Sequence, residues 1–521
     1  SLCALINNRM KQQKIVQFVG RHEWLTLASV LAAFAGIAAG NMARWSIWFD
    51  EAFSAYIVRF DFAKIAYFTA NDVHPPFYYW LLKLWTIVFG HSVVSLRSLS
   101  LLFALIALVG VYVLVRRLTE SKWYSLVATL AAAFTPVLVR LSNEVRMYTL
   151  VLAIVVWATY FLLRAQEENR RCWWGVYSLL VMLGMLTHYF AALAWLAHWA
   201  WRYFEVRSGR IKKFFSKPWV VTFAIAISLY AWWIPMAVKQ FATVQASGFW
   251  IPDVTAVTPV NYATDTLAYR EDDETTGWWA LLLLATITLV SWCLWRSLPK
   301  MQRKFRRSDL SMLVSLVCVP LLLLAIGSLP PLKPSFISRY ILFAQVAALV
   351  LISLATAWTY KRYKRLAMFT AALIAVCCIT GIYHVYSIGN YNKVAKLSTR
   401  TGDVMSEISR VGQSNQPVLA ASQWLYYEMA VYNTPSHPVY YNAEGMTYYY
   451  GSERMLEEDD TGKIRSLSEF ARKHRYVWYL TDSKDNLQPP VASWKLTKSI
   501  QVYDPIGKES RYKAGLYDTQ G

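Results

Sequence analysis

Two adjacent carboxylates, Asp50 and Glu51, stand in the stretch WSIWFDEAFSAYIV, flanked by Trp48, Phe49 and Phe53 and placed directly after a long apolar run. Ionised carboxylates are costly to hold among aromatic side chains at the edge of a hydrophobic segment, so the pair calls for a chemical role. The role open to it is proton abstraction, with one carboxylate taking a proton while its neighbour orients a partner or binds a substrate. Polar groups recur at other breaks between apolar runs. Asp72 and His74 stand in NDVHPPF, where the prolines stiffen the backbone and present the imidazole at an extended turn. Glu144, Arg146 and Tyr148 crowd into VRLSNEVRMYTL; Glu144 and Arg146, two residues apart, address different partners if the turn is helical. His188 and Tyr189 stand in LTHYF, and Lys333, Arg339 and Tyr340 in LPPLKPSFISRY. In that last segment Lys333 and Arg339 are the only charges on a proline-stiffened turn, an arrangement suited to an anion.

The elements that must position these groups are membrane spans. Of 521 residues, 56% are hydrophobic and 24 are Trp, which excludes a soluble enzyme of this size and indicates a polytopic α-helical membrane protein. The net charge of +21 sits in short clusters between apolar runs, as in loops beside an anionic leaflet, so nucleic acid is excluded as the partner. Apolar runs of spanning length occur near 24–43, 98–115, 125–139, 147–163, 173–188, 189–201, 219–238, 278–295, 310–329, 340–360 and 366–387, which predicts about eleven transmembrane helices. FYYWLLKLWTIVFG, at 77–90, is too short and carries Lys83, so it reads as an interfacial or re-entrant helix.

Charge tests that topology. With the N-terminus inside and 77–90 not spanning, the inside segments hold 26 Lys and Arg in 62 residues and the outside linkers 11 in 109. Counting 77–90 as a span would instead put KMQRKFRR and KRYKR outside, against the positive-inside bias. All the polar groups named above then share the extracytoplasmic face. The first run has no convincing small-residue cleavage site and reads as an uncleaved anchor. The six cysteines show no metal-ligand spacing and read as small apolar side chains.

Within the first outside loop (44–97), Phe53, Ile57, Phe60, Ile65 and Phe68 recur at helical spacing, predicting amphipathic helices along the membrane surface. The second outside loop (239–276), with GFWIPDV and YREDDETTGWW, is expected to lie over the site as a lid. From about 388 the composition turns polar and tyrosine-rich. Strand-like QPVLAAS, PVYYNA, RYVWYLTD and KLTKSIQVYD alternate with helix-like SQWLYYEMAVYN and SLSEFARKH. This divides the chain into a membrane domain, 1–387, and a small extracytoplasmic α/β domain, 388–521. MLEEDD reads as a solvated loop, lacking the spacing of a calcium site.

WFDE, DVHPPFYYWLLKLW, LRSLSLLF, NEVRMY, THYF and KPSFISRY, in this order over roughly residues 24–360, resemble the bacterial relatives of dolichyl-phosphate-mannose protein mannosyltransferases and lipid A aminoarabinose transferases. These are integral-membrane GT-C glycosyltransferases. The resemblance implies transfer of a monosaccharide from a polyprenyl-phosphate donor to an extracytoplasmic hydroxyl of a glycan, lipid or protein, at the inner or plasma membrane. It implies Asp50 as catalytic base with Glu51 beside it, and Lys333, Arg339, Arg146 and His74 as holders of the donor phosphate. Asp72, Glu144, Tyr148, His188, Tyr189 and Tyr340 would line the substrate site. No cofactor is implied, and the absence of a DxD motif on that face argues against a metal. One departure stands out: His74-Pro75-Pro76 replaces the Lys-Pro-Pro of the aminoarabinose transferases, which brings the mannosyltransferase-like branch nearer. A transporter or flippase is the rival reading, but it would show two matching halves with broken helices near the midplane. A multi-span sensor would leave the acid pair unexplained.

Overall fold

The structure, a computed structural model, describes residues 22–247, 251, 253–269, 278–389, 391–392, 397–444, 451–482, 487–504 and 510–520. Lipid offers no hydrogen bonds to a backbone, so the long apolar runs close their amide groups internally as helices. In chain order these begin with α1 (Glu23–Met42), α2 (Phe49–Ile57), α3 (Phe62–Ala70), α4 (Phe77–Phe89), α5 (Val93–Thr119), α6 (Lys122–Ala133) and α7 (Pro136–Leu141). There follow α8 (Tyr148–Glu168), α9 (Arg171–Thr187), α10 (Ala191–Arg207), α11 (Lys217–Tyr230), α12 (Ile234–Ser247) and α13 (Thr258–Leu267). The membrane domain closes with α14 (Trp278–Lys304), α15 (Arg307–Gly327), α16 (Leu342–Thr359) and α17 (Lys364–Ile388).

Among the described residues, eight helices are long and apolar enough to cross a membrane, α11 and α12 counting as one run through a 3-10 turn at Ala231–Trp233. The other three predicted spans are helical but shorter. α9 and α10 have 17 residues each, and the run near 125–139 is divided into α6 and α7 where Pro136, lacking an amide hydrogen, starts a new helix. α4 has 13 residues, roughly 20 Å of helix, too little for a hydrocarbon core of about 30 Å. α2 and α3 are the predicted amphipathic pair, with Phe53, Ile57, Ile65 and Phe68 all buried.

Between α1 and α2 the chain is fastened by one buried ion pair. Arg97, near the start of α5, donates from Nε and Nη2 to both carboxylate oxygens of Glu51 at 2.9 and 2.7 Å, and from Nη1 to the carbonyls of Met42 and Trp45 at 2.6 and 2.9 Å. Glu51 also accepts from the backbone amides of Val145, 3.1 Å, and Trp48, 3.4 Å. The end of α1, the start of α2, the start of α5 and the α7–α8 turn thus meet at one ion pair.

The C-terminal domain contains α18 (Thr401–Val411), α19 (Gln423–Ala430), α20 (Gly451–Glu458) and α21 (Leu467–Lys473). β1 (Tyr391–Asn392) and β2 (Leu397–Ser398) form a two-stranded pair. The main sheet holds β3 (Val418–Ala420), β4 (Val439–Asn442), β5 (Lys463–Ile464), β6 (Tyr476–Thr481), β7 (Lys495–Gln501) and β8 (Lys513–Asp518) in the order β5-β4-β3-β6-β8-β7. β5, β4, β3 and β6 are parallel; β8 and β7 are antiparallel additions.

This domain is bonded to the first loop. Phe49 meets Trp424 edge-on at 4.8 Å, and Tyr56 meets Tyr427 at 4.8 Å. Arg59 Nη2 donates to the carbonyl of Ala430 at 2.9 Å, and Tyr56 Oη to Asp459 at 2.7 Å. MLEEDD is not a loop as far as Glu458: it is helical to that residue, with Glu457 and Glu458 exposed, Asp459 held by Tyr56, and exposed Asp460 paired with Lys463 and Arg465. Apolar Met455 and Leu456 draw it inward, both fully buried.

Removing one partner of a buried ion pair strands the other charge, at a cost of about 3–5 kcal/mol. Arg97→Ala should accordingly lower the unfolding midpoint sharply, measured by intrinsic fluorescence in nanodiscs. A midpoint equal to that of the unaltered chain would show that the pair does not hold the loop.

Candidate active site

Because α2 starts at Phe49, Asp50 falls in its first turn, where unpaired amide hydrogens favour a negative charge. Its side chain is 28% exposed, and its Oδ2 lies 4.0 Å from Nη2 of Arg339, itself 21% exposed. Arg339 belongs to a 3-10 turn, Ser338–Ile341, that ends the proline-stiffened segment ahead of α16. Its guanidinium lies over the rings of Trp48 and Tyr148, at 5.6 and 5.8 Å from their centres. Ser338 donates to Asp265 of α13 at 2.7 Å, which anchors this turn from the second outside loop.

Arg146 is the second cation, and it is buried. It donates from Nη1 to Tyr79 Oη at 3.2 Å and to the backbone carbonyl of Asp50 at 3.4 Å, and from Nη2 it faces His74 Nε2 at 3.1 Å. A guanidinium can only donate, so His74 Nε2 must be the acceptor and its proton must sit on Nδ1. Nδ1 then donates to Asp72 Oδ2, 3.4 Å away. Burial, followed by the nearby charge of Arg146, holds His74 below the ordinary histidine range against the opposing pull of Asp72. The imidazole is neutral, and Asp72, His74 and Arg146 form a chain whose terminal donors address the segment carrying Asp50.

Around these charges lies an aromatic wall. Tyr148 stacks on Tyr340 at 6.1 Å, and His188 lies 5.0 Å from Tyr340 and 5.8 Å from His74. Burial, and then the charges of Arg146 and Arg339, hold His188 well below the usual imidazole range. Glu144 is buried with Oε2 3.8 Å from Arg140; burial holds its carboxyl above the ordinary range despite Arg140 and Arg339.

Behind the wall opens a cavity of about 470 Å³, lined mostly by apolar side chains such as Phe190, Phe241 and Val244, with His74, His188, Gln240, Gln245, Lys333 and Ser335 among its polar groups. Tyr189 lines it too, donating to Gln240 and accepting from Trp233. The cavity and the charged cluster share His74 and Tyr340. The structure thus brings Asp50, Asp72, His74, Glu144, Arg146, Tyr148, His188, Arg339 and Tyr340 to one centre. Lys333 is exposed and lines the cavity, while Glu51 turns away to Arg97. GFWIPDV and YREDDETTGWW, expected to form a lid, lie largely outside the described residues.

Sequence reasoning gave no role to Arg97, Tyr79, Gln240 or Asp265. For Arg97 a signal was present: a lone charge at the head of the apolar run LRSLSLLF needs a partner. Tyr79, Gln240 and Asp265 carry no such mark, being ordinary residues for helices beside a membrane.

Residues 73–234 match a family model described as dolichyl-phosphate-mannose-protein mannosyltransferase. Comparison with curated protein sequences gives no match. Among solved structures, ArnT from Cupriavidus metallidurans in the apo state is similar with a TM-score of 0.59 and 12% identity, over 95% of this chain and 98% of that one. The same protein bound to undecaprenyl phosphate gives 0.56 and 13%, with the same coverage. The Archaeoglobus fulgidus oligosaccharyltransferase in complex with Zn and sulfate gives 0.50 and 14%, over 87% of this chain and 68% of that one. The fold is of the GT-C type.

The neutral His74 sets a pH dependence. A histidine whose folded value is depressed contributes stability that is complete above its ordinary value of about 6.5 and is lost as pH falls from there through the folded value. Glutamine can accept from Arg146 without titrating. The unfolding midpoint of His74→Gln should therefore fall less than that of the unaltered chain between pH 7 and pH 5 (on the order of one such titration). Parallel curves for the two proteins would remove His74 from the titrating groups.

Proposed function

We propose that this protein is a membrane glycosyltransferase that moves a monosaccharide from a polyprenyl-phosphate donor to a hydroxyl on the face carrying the C-terminal domain, the extracytoplasmic face of the cell membrane. The observation that carries the reading is the Asp50–Arg339 pair at 4.0 Å beside a largely apolar cavity. A base, a cation and a lipid-sized recess meet there. The positive-inside distribution of the sequence supports the orientation, and the fold shared with ArnT supports the reaction class.

In this reaction the acceptor oxygen attacks the anomeric carbon, its proton passes to the Asp50 carboxylate, and the bond from that carbon to the phosphate oxygen breaks, its electron pair leaving with the phosphate. Phosphate leaves readily but needs its growing charge matched by cations. Arg339 supplies the planar fork for that purpose and Arg146 a buried charge behind it, with Lys333 at the cavity. One displacement without a covalent nucleophile inverts the anomeric centre. A phosphate role for His74 would need a proton that its bond to Arg146 excludes, so His74, with Asp72, positions Arg146. Glu51 positions Asp50 through Arg97. Glu144, Tyr148, His188 and Tyr340 form the wall against which the sugar is held, and Tyr189 with Gln240 shapes the lipid recess.

The rival reading, a lipid or sugar transporter, gains nothing from a lone carboxylate placed against an arginine at one face. Purified protein in nanodiscs, given a short-chain polyprenyl-phosphate sugar, should transfer the sugar. Asp50→Asn should abolish transfer while still binding undecaprenyl phosphate, because an amide cannot take the proton. Arg339→Lys should weaken donor use about tenfold to a hundredfold, the loss of a charge-assisted contact worth roughly 1.5–3 kcal/mol. Near-normal turnover in Asp50→Asn would remove Asp50 from the mechanism, and no transfer by the unaltered chain, with vesicle transport intact, would favour the transporter. Envelope glycans compared by mass spectrometry with and without the protein would then reveal the sugar.

Orientation has its own test. A cysteine at Arg465, an exposed position of the C-terminal domain, should react with an impermeant maleimide in intact cells, whereas exposed Cys172, on the opposite face, should react only after lysis. The reverse pattern would invert the topology.

A further inference from the structure

The main sheet of the C-terminal domain is doubly wound about β3. From β3 the chain runs through α19 to β4 and through α20 to β5 on one side, then returns through α21 to β6 on the other side of β3. Burial follows the two faces: Val418 and Ala420 share an apolar cluster with Leu425 and Met429 of α19, whereas Leu419 shares one with Phe470 of α21. β3 leads into α19 on one face, whereas Val491 and Trp494, on the way from β6 to β7, belong to the cluster on the other; in open α/β sheets ligands bind in the crevice outside the carboxyl ends of such strands.

That end of the sheet carries Trp424, in the first turn of α19, and the exposed Asp482, which follows β6. The amide of Ala421 donates to the carbonyl of Leu480 at 2.9 Å, so the two strand ends stay joined up to this point. Trp424 is 42% exposed, and its covered side is the edge-on contact with Phe49, the residue before Asp50. The start of α19 and the start of α2 therefore abut, and the sheet's ligand-binding end adjoins the proposed catalytic carboxylate.

We propose that this crevice is the acceptor subsite and that the acceptor is a carbohydrate, one pyranose face stacked on Trp424 and its hydroxyls donating to Asp482. The inference rests on the glycosyltransferase reading and adds to it the acceptor's chemical class. The electron-rich face of an indole attracts the polarised C–H groups of a sugar ring, and a few polar groups beside an aromatic platform fix its orientation. A peptide acceptor would be better served by strand addition at a sheet edge. The exposed edge here is β7, three strands and roughly 14 Å from β3, on the side away from β4.

Saturation-transfer NMR on the full chain in lipid nanodiscs tests this, with methyl mannoside, methyl glucoside, methyl N-acetylglucosaminide, their β-linked disaccharides and a serine-containing hexapeptide as probes. A sugar probe should bind the unaltered chain, weaken about two- to tenfold in Trp424→Ala, and recover in Trp424→Phe. Asp482→Asn, at an exposed site that does not threaten folding, should weaken the same probe. Sugar binding unchanged in both Trp424→Ala and Asp482→Asn, binding of the peptide alone, or no binding of any sugar would each overturn the proposal. Undecaprenyl phosphate titrated into the same nanodiscs reads the donor side separately: its failure to bind the unaltered chain would count against the glycosyltransferase reading, whatever the sugars do.

Discussion

The ion pair between Glu51 and Arg97 is the joint on which the site depends. Both side chains are almost fully buried, and desolvating two charges is repaid only when every lone pair and proton finds a partner. Here the partners come from four separate segments: carbonyls of Met42 and Trp45, amides of Trp48 and Val145, and the two charged groups themselves. Such a pair contributes little net stability against an apolar replacement, yet it admits only one arrangement of those segments. The next residue along from the joint is Asp50. The turn that donates Val145 also carries Glu144 and Arg146. Asp50 and Arg146, 96 positions apart, are thereby fixed relative to each other by the same carboxylate.

Electrostatic balance explains why the remaining charges can stay together in a poorly solvated place. Arg146 and Arg339 face Asp50, Asp72 and Glu144, while neutral His74 transmits Asp72 to Arg146 without adding a charge. A phosphate arriving between the arginines would compete with Asp50 for Arg339. In that competition the weakly held contact, 4.0 Å long, is the one to yield, which would leave Asp50 free to face an incoming hydroxyl. Arg146 would not move, since Tyr79, His74 and the backbone of Asp50 hold it from three sides. One arginine thus suits capture and the other suits fixed stabilisation.

Much of this was legible in the residue pattern, for reasons that differ by residue. Apolar runs read as helices because lipid leaves the backbone no alternative, and all eleven predicted runs are helical. The break at Pro136 follows from proline's missing amide hydrogen, yet nothing in a hydropathy profile separates a broken span from a straight one. Asp50, Arg146 and Arg339 stood out because charge at membrane depth is costly. The difference between Asp50 and Glu51 did not, since adjacent residues point about 100° apart on a helix and only the neighbours decide which faces Arg339 and which faces Arg97. MLEEDD misled because composition reports solvation on average, whereas Met455 and Leu456 supply enough apolar surface to dock their helix.

The C-terminal domain was legible as α/β from its alternation of strands and helices, but its attachment was not. Among the residues that fasten it are Phe49, Tyr56, Trp424 and Tyr427, whose rings suit a domain core, a membrane interface or a contact between the two equally well. The packing resolves this: Phe49 and Tyr56 of α2 meet Trp424 and Tyr427 of α19, while Phe53, about 40–60° round the helix from them, meets Tyr79 of α4. α2 is thus held between the membrane helices and the sheet domain, and a rigid-body shift of either would displace Asp50. A carboxylate at the start of a nine-residue helix gains little rigidity from so short an element, which is marginal in isolation. Its position has to be imposed by both flanks, and the aromatic contacts of the C-terminal domain supply the one that the membrane helices cannot reach.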